Sequence, residues 1–296
     1  MRISDSTRYN NAIRYMNEAK AKLDELSEIA TTKKNFQQSS DDPSLVSSAL
    51  ALRSSISASN GYIETSQYAQ EWMTETESAF SLMNDLITDA NNIMLKGLSD
   101  TVDADSRADD YAVQIAQILN QAISIANSSY GNKYLFAGTN IKTLPFSLAA
   151  DGSTVDAASD TTGTMKRDIA PGISITINTD GVAAFDEFFN ALILAQHGLE
   201  NNDSTEMNNA LTAINNSLTT MNEYRTNNSA ILKQLETGIE HLETTQNELK
   251  ALLSIKEDAN MAEAITMFNL QQTTYETVID VCSRSLSTFN LFDVLS

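Results

Sequence analysis

Cysteine, proline and basic side chains are scarce here: one, three and 19 in 296 residues, against 39 acidic groups. Cys282 on its own can form neither an intramolecular disulfide nor a thiolate cage, so packing has to hold the fold. A formal charge of −20 with no basic run excludes a phosphate backbone as partner. The most apolar window, residues 188–195, is far too short to cross a bilayer, and residues 1–5 lead into polar sequence with no signal-type apolar stretch. A soluble protein is expected, without cleaved signal peptide, membrane insertion or nucleic-acid partner. Reactive constellations are equally sparse. His197 and His241 have no second ligand at metal spacing, no base stands beside a serine or the cysteine, and Gly131 and Gly138 lack the lysine and helix start of a phosphate loop. The acidic residues 100–110 depart from EF-hand spacing and read as a solvated helix connection. No enzyme, cofactor or metal site is expected, and the two histidines are assigned surface or capping roles.

What is present is helical periodicity. Six of the ten glycines and two of the three prolines fall between residues 131 and 181, whereas 44–144 and 172–296 hold no proline. Proline costs roughly 3 kcal/mol inside a helix and glycine about 1, so long helices are expected on both sides of a non-helical insert. From Met207 a 3,4 apolar alternation runs through Ile214, Met221, Leu235 and Ile239 to Leu253, with only Arg225, Asn228 and Gln246 polar among its fourteen positions. Those interruptions either set register or sit at the edge of the seam. At 1.5 Å per residue such a helix is roughly 70 Å long. Met73, Thr76, Phe80, Met83, Ile87, Ala90 and Met94 form a second stripe, and Tyr111, Ile115, Ile118, Ala122 and Ile125 a third. Asp41 or Asp42 can cap the helix that Pro43 opens.

The fold class expected is mainly α: an elongated helical bundle with long coiled-coil-like terminal helices and a small β-rich insert. Its parts are an assembly helix at 1–40, a helical domain in two pieces at 41–131 and 183–257, a surface insert at 132–182, and a second assembly helix at 258–296. In the insert, Ile173, Ile175 and Ile177 alternate with polar residues as a half-buried strand does, with 133–136 and 146–148 as its expected pairing partners. Residues 149–164 have little to bury and are assigned to exposed loop.

Both extremes carry apolar seams. The first runs Tyr9, Ala12, Met16, Ala19, Leu23, Leu26 and Ala30, widened by Ile13 and Ile29. The last runs Met261, Ile265, Phe268, Gln272, Tyr275, Ile279, Cys282, Leu286 and Phe289 in 4,3 steps. Residues 1–34 hold seven basic and five acidic groups, and residues 258–296 one and five, so opposite charge favours pairing of the two. Exposed pairs contribute only about 0–1 kcal/mol each, so burial of the stripes has to drive any association. Ile13, Met16, Leu23, Leu26, Ile265, Phe268, Tyr275, Ile279, Leu286 and Phe289 are the candidate assembly residues.

Residues 1–4 (MRIS) and 39–53 (SSDDPSLVSSALALR) resemble the N-terminal region of flagellin-like axial proteins. IANSSYGNKYLFAGT at 125–139, Leu144-Pro145-Phe146, residues 254–278 and the FNLFDVLS of 289–296 resemble the flagellar hook-associated protein 3 family, the hook-filament junction proteins. The resemblance implies a structural subunit that joins the first hook-associated protein to flagellin, assembles with itself through its end helices, and is held at its last helix by a cytoplasmic export chaperone. It implies an extracellular place at the hook-filament junction, reached by flagellar type III export. Two alternatives stand beside it: a filament flagellin, and, in another class, a cytoplasmic coiled-coil scaffold or signalling protein.

Overall fold

The computed structural model describes residues 5–36, 38, 40–158 and 163–293, and of residues 5, 6, 8 and 285–293 the backbone alone. Its helices are α1 (Asp5–Thr32), α2 (Pro43–Gly97), α3 (Ala104–Ser106), α4 (Ala112–Ala126), α5 (Gly181–Glu200), α6 (Ser204–Glu257) and α7 (Met261–Asp293), with a π-turn at Arg107–Tyr111. Three strand pairs lie between α4 and α5: β1 (Ser129–Tyr130) with β2 (Lys133–Tyr134), β3 (Phe146–Leu148) with β4 (Val155–Ala157), and β5 (Lys166–Ala170) with β6 (Ile173–Thr176). The chain forms two compact units, one of residues 1–58 and 245–296, the other of residues 59–244.

In the unit of residues 59–244 the helical stripes meet as their spacing predicts. Phe80, Met83, Ile87, Ala90 and Met94 from α2, Ile115 and Ala122 from α4, and Met207, Ile214, Met221 and Leu235 from α6 all lie inside one continuous core. Asn228 belongs to that interior and not to the seam's edge: it is 2% exposed and its Nδ2 donates to Met73 O at 3.0 Å and Glu77 Oε2 at 3.1 Å. Glu77 also accepts from Arg225 Nε at 2.8 Å, so these two polar interruptions join α6 to α2 across one carboxylate. A buried amide held this way favours a single register, since any slip strands its polar atoms away from water. Arg107 closes the far end of α2. Its guanidinium donates to Gly97 O (2.7 Å), Ser99 O (2.9 Å) and Asn202 Oδ1 (2.6 Å), satisfying carbonyls that the end of a helix leaves without partners.

The insert differs from the expected strand pairing. β6 pairs with β5, across a Pro171-Gly172 turn where glycine takes φ 74°, and residues 133–136 and 146–148 do not join it. Lys133 and Tyr134 pair instead with Tyr130 and Ser129 across Gly131-Asn132, both at positive φ, while β3 pairs with β4 out of the segment assigned to loop. The reason is local: each of these strands has an antiparallel neighbour a short turn away, and closing a short turn costs less entropy than a distant pairing. The insert is fastened to the helices by Asn127, whose Oδ1 accepts from Phe146 N (3.0 Å) and whose Nδ2 donates to Phe146 O (2.9 Å). Asp180 forms an isolated bridge with Ala137 and caps α5, accepting from Val182 N at 3.0 Å and Ala183 N at 3.3 Å.

In the unit of residues 1–58 and 245–296, α1 and α7 run antiparallel to each other, with Ala12 opposite Cys282 and Ala19 opposite Gln271. Asp42 caps α2 as expected, its Oδ1 accepting from Ser44 N (3.0 Å) and Leu45 N (2.9 Å).

Candidate assembly surface

α1 presents a half-buried row of Ala12, Met16, Ala19, Leu23, Leu26 and Ala30. The matching row on α7 is Met261, Ala264, Phe268, Gln271, Tyr275, Val278 and Cys282, of which Ala264 and Cys282 are buried. Gln271 Nε2 donates to Ala19 O at 3.0 Å, and Cys282 Sγ lies 3.8 Å from Ala12 O. The seam on α7 thus advances in 3,4 steps where the apolar spacing suggested 4,3. Met261, Phe268, Tyr275 and Cys282 satisfy both patterns; between them the seam takes Ala264, Gln271 and Val278 in place of Ile265, Gln272 and Ile279. Small residues on both helices let the backbones approach closely enough for a side-chain amide to reach a helix carbonyl.

The candidate residues therefore divide. Met16, Leu23, Leu26, Phe268 and Tyr275 line the seam, whereas Ile13 (40% exposed), Ile265 (48%) and Ile279 (38%) face outward. Leu286 and Phe289 lie outside the described side chains. Tyr9, which the periodicity placed at the head of the first seam, is 54% exposed, and Tyr15, Met267, Leu270 and Val281, which periodicity did not single out, are exposed as well. Of the seventeen large apolar side chains exposed among the described residues, eleven belong to the unit of residues 1–58 and 245–296, which holds little more than a third of the chain. The large core, by contrast, is drawn wholly from residues 69–235. An excess of exposed apolar surface on a unit with so small an interior is the pattern that interaction surfaces show.

Charge does little to hold the pair. On α1 and α7 the ion pairs Arg14–Glu18 at 3.8 Å, Lys22–Glu25 at 2.8 Å and Arg284–Asp280 at 2.9 Å each join two residues of one helix. Such exposed pairs contribute little, and the seam rests on packing.

The histidines lie elsewhere. His197, in the last turn of α5, has Nδ1 2.6 Å from Glu206 Oε2, and that hydrogen bond, reinforced by the carboxylate's charge, raises its pKa above the ordinary 6.5. A raised folded value means the contact stabilises fully below about pH 6.5 and fades as pH climbs through the folded pKa. The thermal midpoint is therefore expected to fall slightly from pH 6 to pH 8.5, and Glu206→Gln should remove that dependence. An unchanged slope in the variant would assign it to other groups. His241 is exposed on α6.

No helix among the described residues is long and apolar enough to cross a membrane. Beside the long paired helices, the hairpin insert between α4 and α5 and the apolar outer surface of α1 and α7, residues 3–141 match the family described as the bacterial flagellin N-terminal helical region. The chain is 29% identical over 153 residues to flagellar hook-associated protein 3 of Salmonella typhimurium, covering 51% of this chain and 48% of that protein. It is 27% identical over 187 residues to flagellar hook-associated protein 3 of Escherichia coli, covering 63% and 57%. It thus spans about half the length of these curated relatives. In fold it is similar to Bacillus cereus FlgL, with a TM-score of 0.60 at 19% identity over 69% of this chain and 99% of that one. The chain is thus similar to the flagellin N-terminal helical region over residues 3–141 and to flagellar hook-associated protein 3 over part of that protein's length.

Proposed function

We propose that the protein is a structural subunit of the bacterial flagellum that forms the adaptor layer between the hook, through the first hook-associated protein, and the flagellin filament. The reading rests above all on the concentration of exposed apolar side chains along α1 and α7, beside a core confined to residues 69–235. Burying an exposed side chain of this size stabilises a complex by about 1.5–3 kcal/mol, so a surface carrying Tyr9, Ile13, Tyr15, Ile265, Leu270 and Val281 is suited to several neighbours at once. An axial layer makes heterologous contacts, in which one face of a subunit meets a different face of the next. Such a subunit performs no reaction; it couples two unlike polymers mechanically.

On this reading Ile13, Ile265 and Ile279 contact neighbouring subunits directly, and Met16, Leu23, Leu26, Phe268 and Tyr275 hold α1 and α7 together so that they can. Leu286 and Phe289 are proposed as assembly residues on the sequence pattern alone. Before assembly the outward row of α7 is an aggregation hazard, which makes it the place for a cytoplasmic export chaperone to bind. Export through the flagellar type III channel then delivers the chain to an extracellular layer.

Electron microscopy of a deletion strain tests the proposal. Hooks without filaments, with flagellin shed into the medium, are expected; normal filaments would reject the junction role. Counting copies per appendage separates the alternatives: about one helical layer fits an adaptor, thousands fit a filament flagellin, and none in sheared appendages leaves a cytoplasmic scaffold.

A further inference from the structure

Where α6 gives way to α7, Glu257 is 5% exposed, yet it is a carboxylate at the very end of a helix in a chain of charge −20. Burial of a charge is costly unless it is paired. Here two cations meet the same oxygen: Arg53 Nη2, from the third turn of α2, at 2.5 Å from Oε1, and Lys34 Nζ, from the link that follows α1. Both cations are close to half exposed while the carboxylate is inside, so the two basic side chains cover it.

The backbone around this group is also tied. Asn35 N donates to Glu257 O at 2.8 Å and Ala259 N donates to Lys33 O at 2.9 Å, while Lys34 and Asp258 form an antiparallel bridge. Asn35 Nδ2 adds a bond to Asp258 O at 3.0 Å. Lys33 reaches this arrangement at φ 62°, a left-handed conformation that turns the chain sharply out of α1. The links that leave α1 and enter α7 are thus clipped to each other, and Glu257 fastens the clip to α2 through Arg53.

We propose that Glu257 is the positioning residue of the α1–α7 pair: its ion pairs with Lys34 and Arg53 act as a catch that holds both links together and thereby sets the pair in its ordered, assembly-ready arrangement. The seam itself contributes few buried side chains, Ala264 and Cys282 among them, and two helices with so small an interior gain much of their order from fixed ends. Breaking one ion pair leaves the others worse than absent, because a nearly buried charge loses part of its compensation. The catch therefore works as a unit. The proposal deepens the assembly reading and rests on it only for its second arm.

The test uses the full-length chain and the variants Glu257→Gln, Arg53→Met and the double variant. Glu257→Gln is expected to speed amide hydrogen exchange in residues 7–32 and 261–284 by about tenfold, with the amides of α4 and α5 unchanged. The double variant should exchange no faster than Glu257→Gln alone, since both changes remove one interaction. Exchange in α1 and α7 at the unaltered rate would overturn the catch, as would equal acceleration in α4 and α5, which reports general loss of stability. Rates that multiply in the double variant would overturn it too. In the second arm, Glu257→Gln cells are expected to shed filaments. Faster exchange with normal filament attachment would keep the catch and count against the assembly reading.

Discussion

Deleting residues 260–296 is expected to abolish filament attachment completely while leaving the thermal transition of residues 59–244 where it was. The core of that unit draws nothing from the deleted residues: its members run from Ala69 to Leu235. What the deletion removes is α7, and with it the partner on which Met16, Leu23 and Leu26 are half covered. α1 alone, 28 residues with Tyr9, Ile13 and Tyr15 already exposed, would then present its seam to water as well. An isolated helix of that length is marginal at best, so the loss of one helix disorders the other and the whole outward surface goes with it. Deleting residues 1–34 should have the same effect by the same route. Swimming assays with electron microscopy of hooks report the first half of the expectation, and calorimetry of the purified chain the second. Filaments still attached to either truncated protein would remove α1 and α7 from the assembly mechanism.

Both truncations follow from features that periodicity makes legible, and the limits of that legibility are local. The stripes from Met73 to Met94 and from Met207 to Leu253 end up inward because each lies on a long helix with a large apolar face to bury, where the 3.6-residue repeat dominates. On α7 the same rule leaves a choice, because a 3,4 and a 4,3 path share Met261, Phe268, Tyr275 and Cys282. The bulkier residues of the pair, Ile265 and Ile279, read as the core, yet the seam selects Ala264 and Val278 because α1 offers Ala12 and Ala19 and packs closely. Hydrophobicity counts apolar area; it does not record how near a partner backbone comes. The insert was hardest for a related reason. β4 and β5, with Asp156, Lys166, Arg167 and Asp168, carry little apolar alternation, so only the glycines of their turns, Gly152 and Gly172, both at positive φ, signal hairpins. Glu257 had no signal at all: it is one acidic residue among 39, and its burial depends on Lys34 and Arg53, more than 200 positions away.

The motif at 125–139 gains a physical meaning from its packing, and that meaning supports the second large expectation. Phe136 from the motif and Phe146 just beyond it both pack on Phe185 of α5. Its ring lies 4.7 Å from that of Phe136, edge to face, with Phe80 and Phe146 at 6.1 Å and Phe189 at 6.2 Å. Backbone closeness at this point is such that a Cβ on Gly181 would stand 2.6 Å from Phe136 O. Phe185→Ala is therefore expected to destabilise residues 59–244 by about 3–5 kcal/mol, the cost of removing a fully buried ring together with the cavity left behind. Edge-to-face partners add to the area term by roughly 0.5–1.5 kcal/mol each, which favours the upper half of that range. For a unit of this size the thermal midpoint should drop by about 6–20 °C. Leu148→Ala, at a side chain 37% exposed on β3, is the control and should shift stability by only about 0.5 kcal/mol. The shape of the transition is as telling as its midpoint. Because one ring is shared by α2, α5 and the first part of the insert, Phe185→Ala should lower a single cooperative transition seen alike by far-UV dichroism and by the fluorescence of Trp72. Two separated transitions would mean that the hairpins fold without the helices, and then the ring cluster would be a contact between modules instead of the core that makes them one.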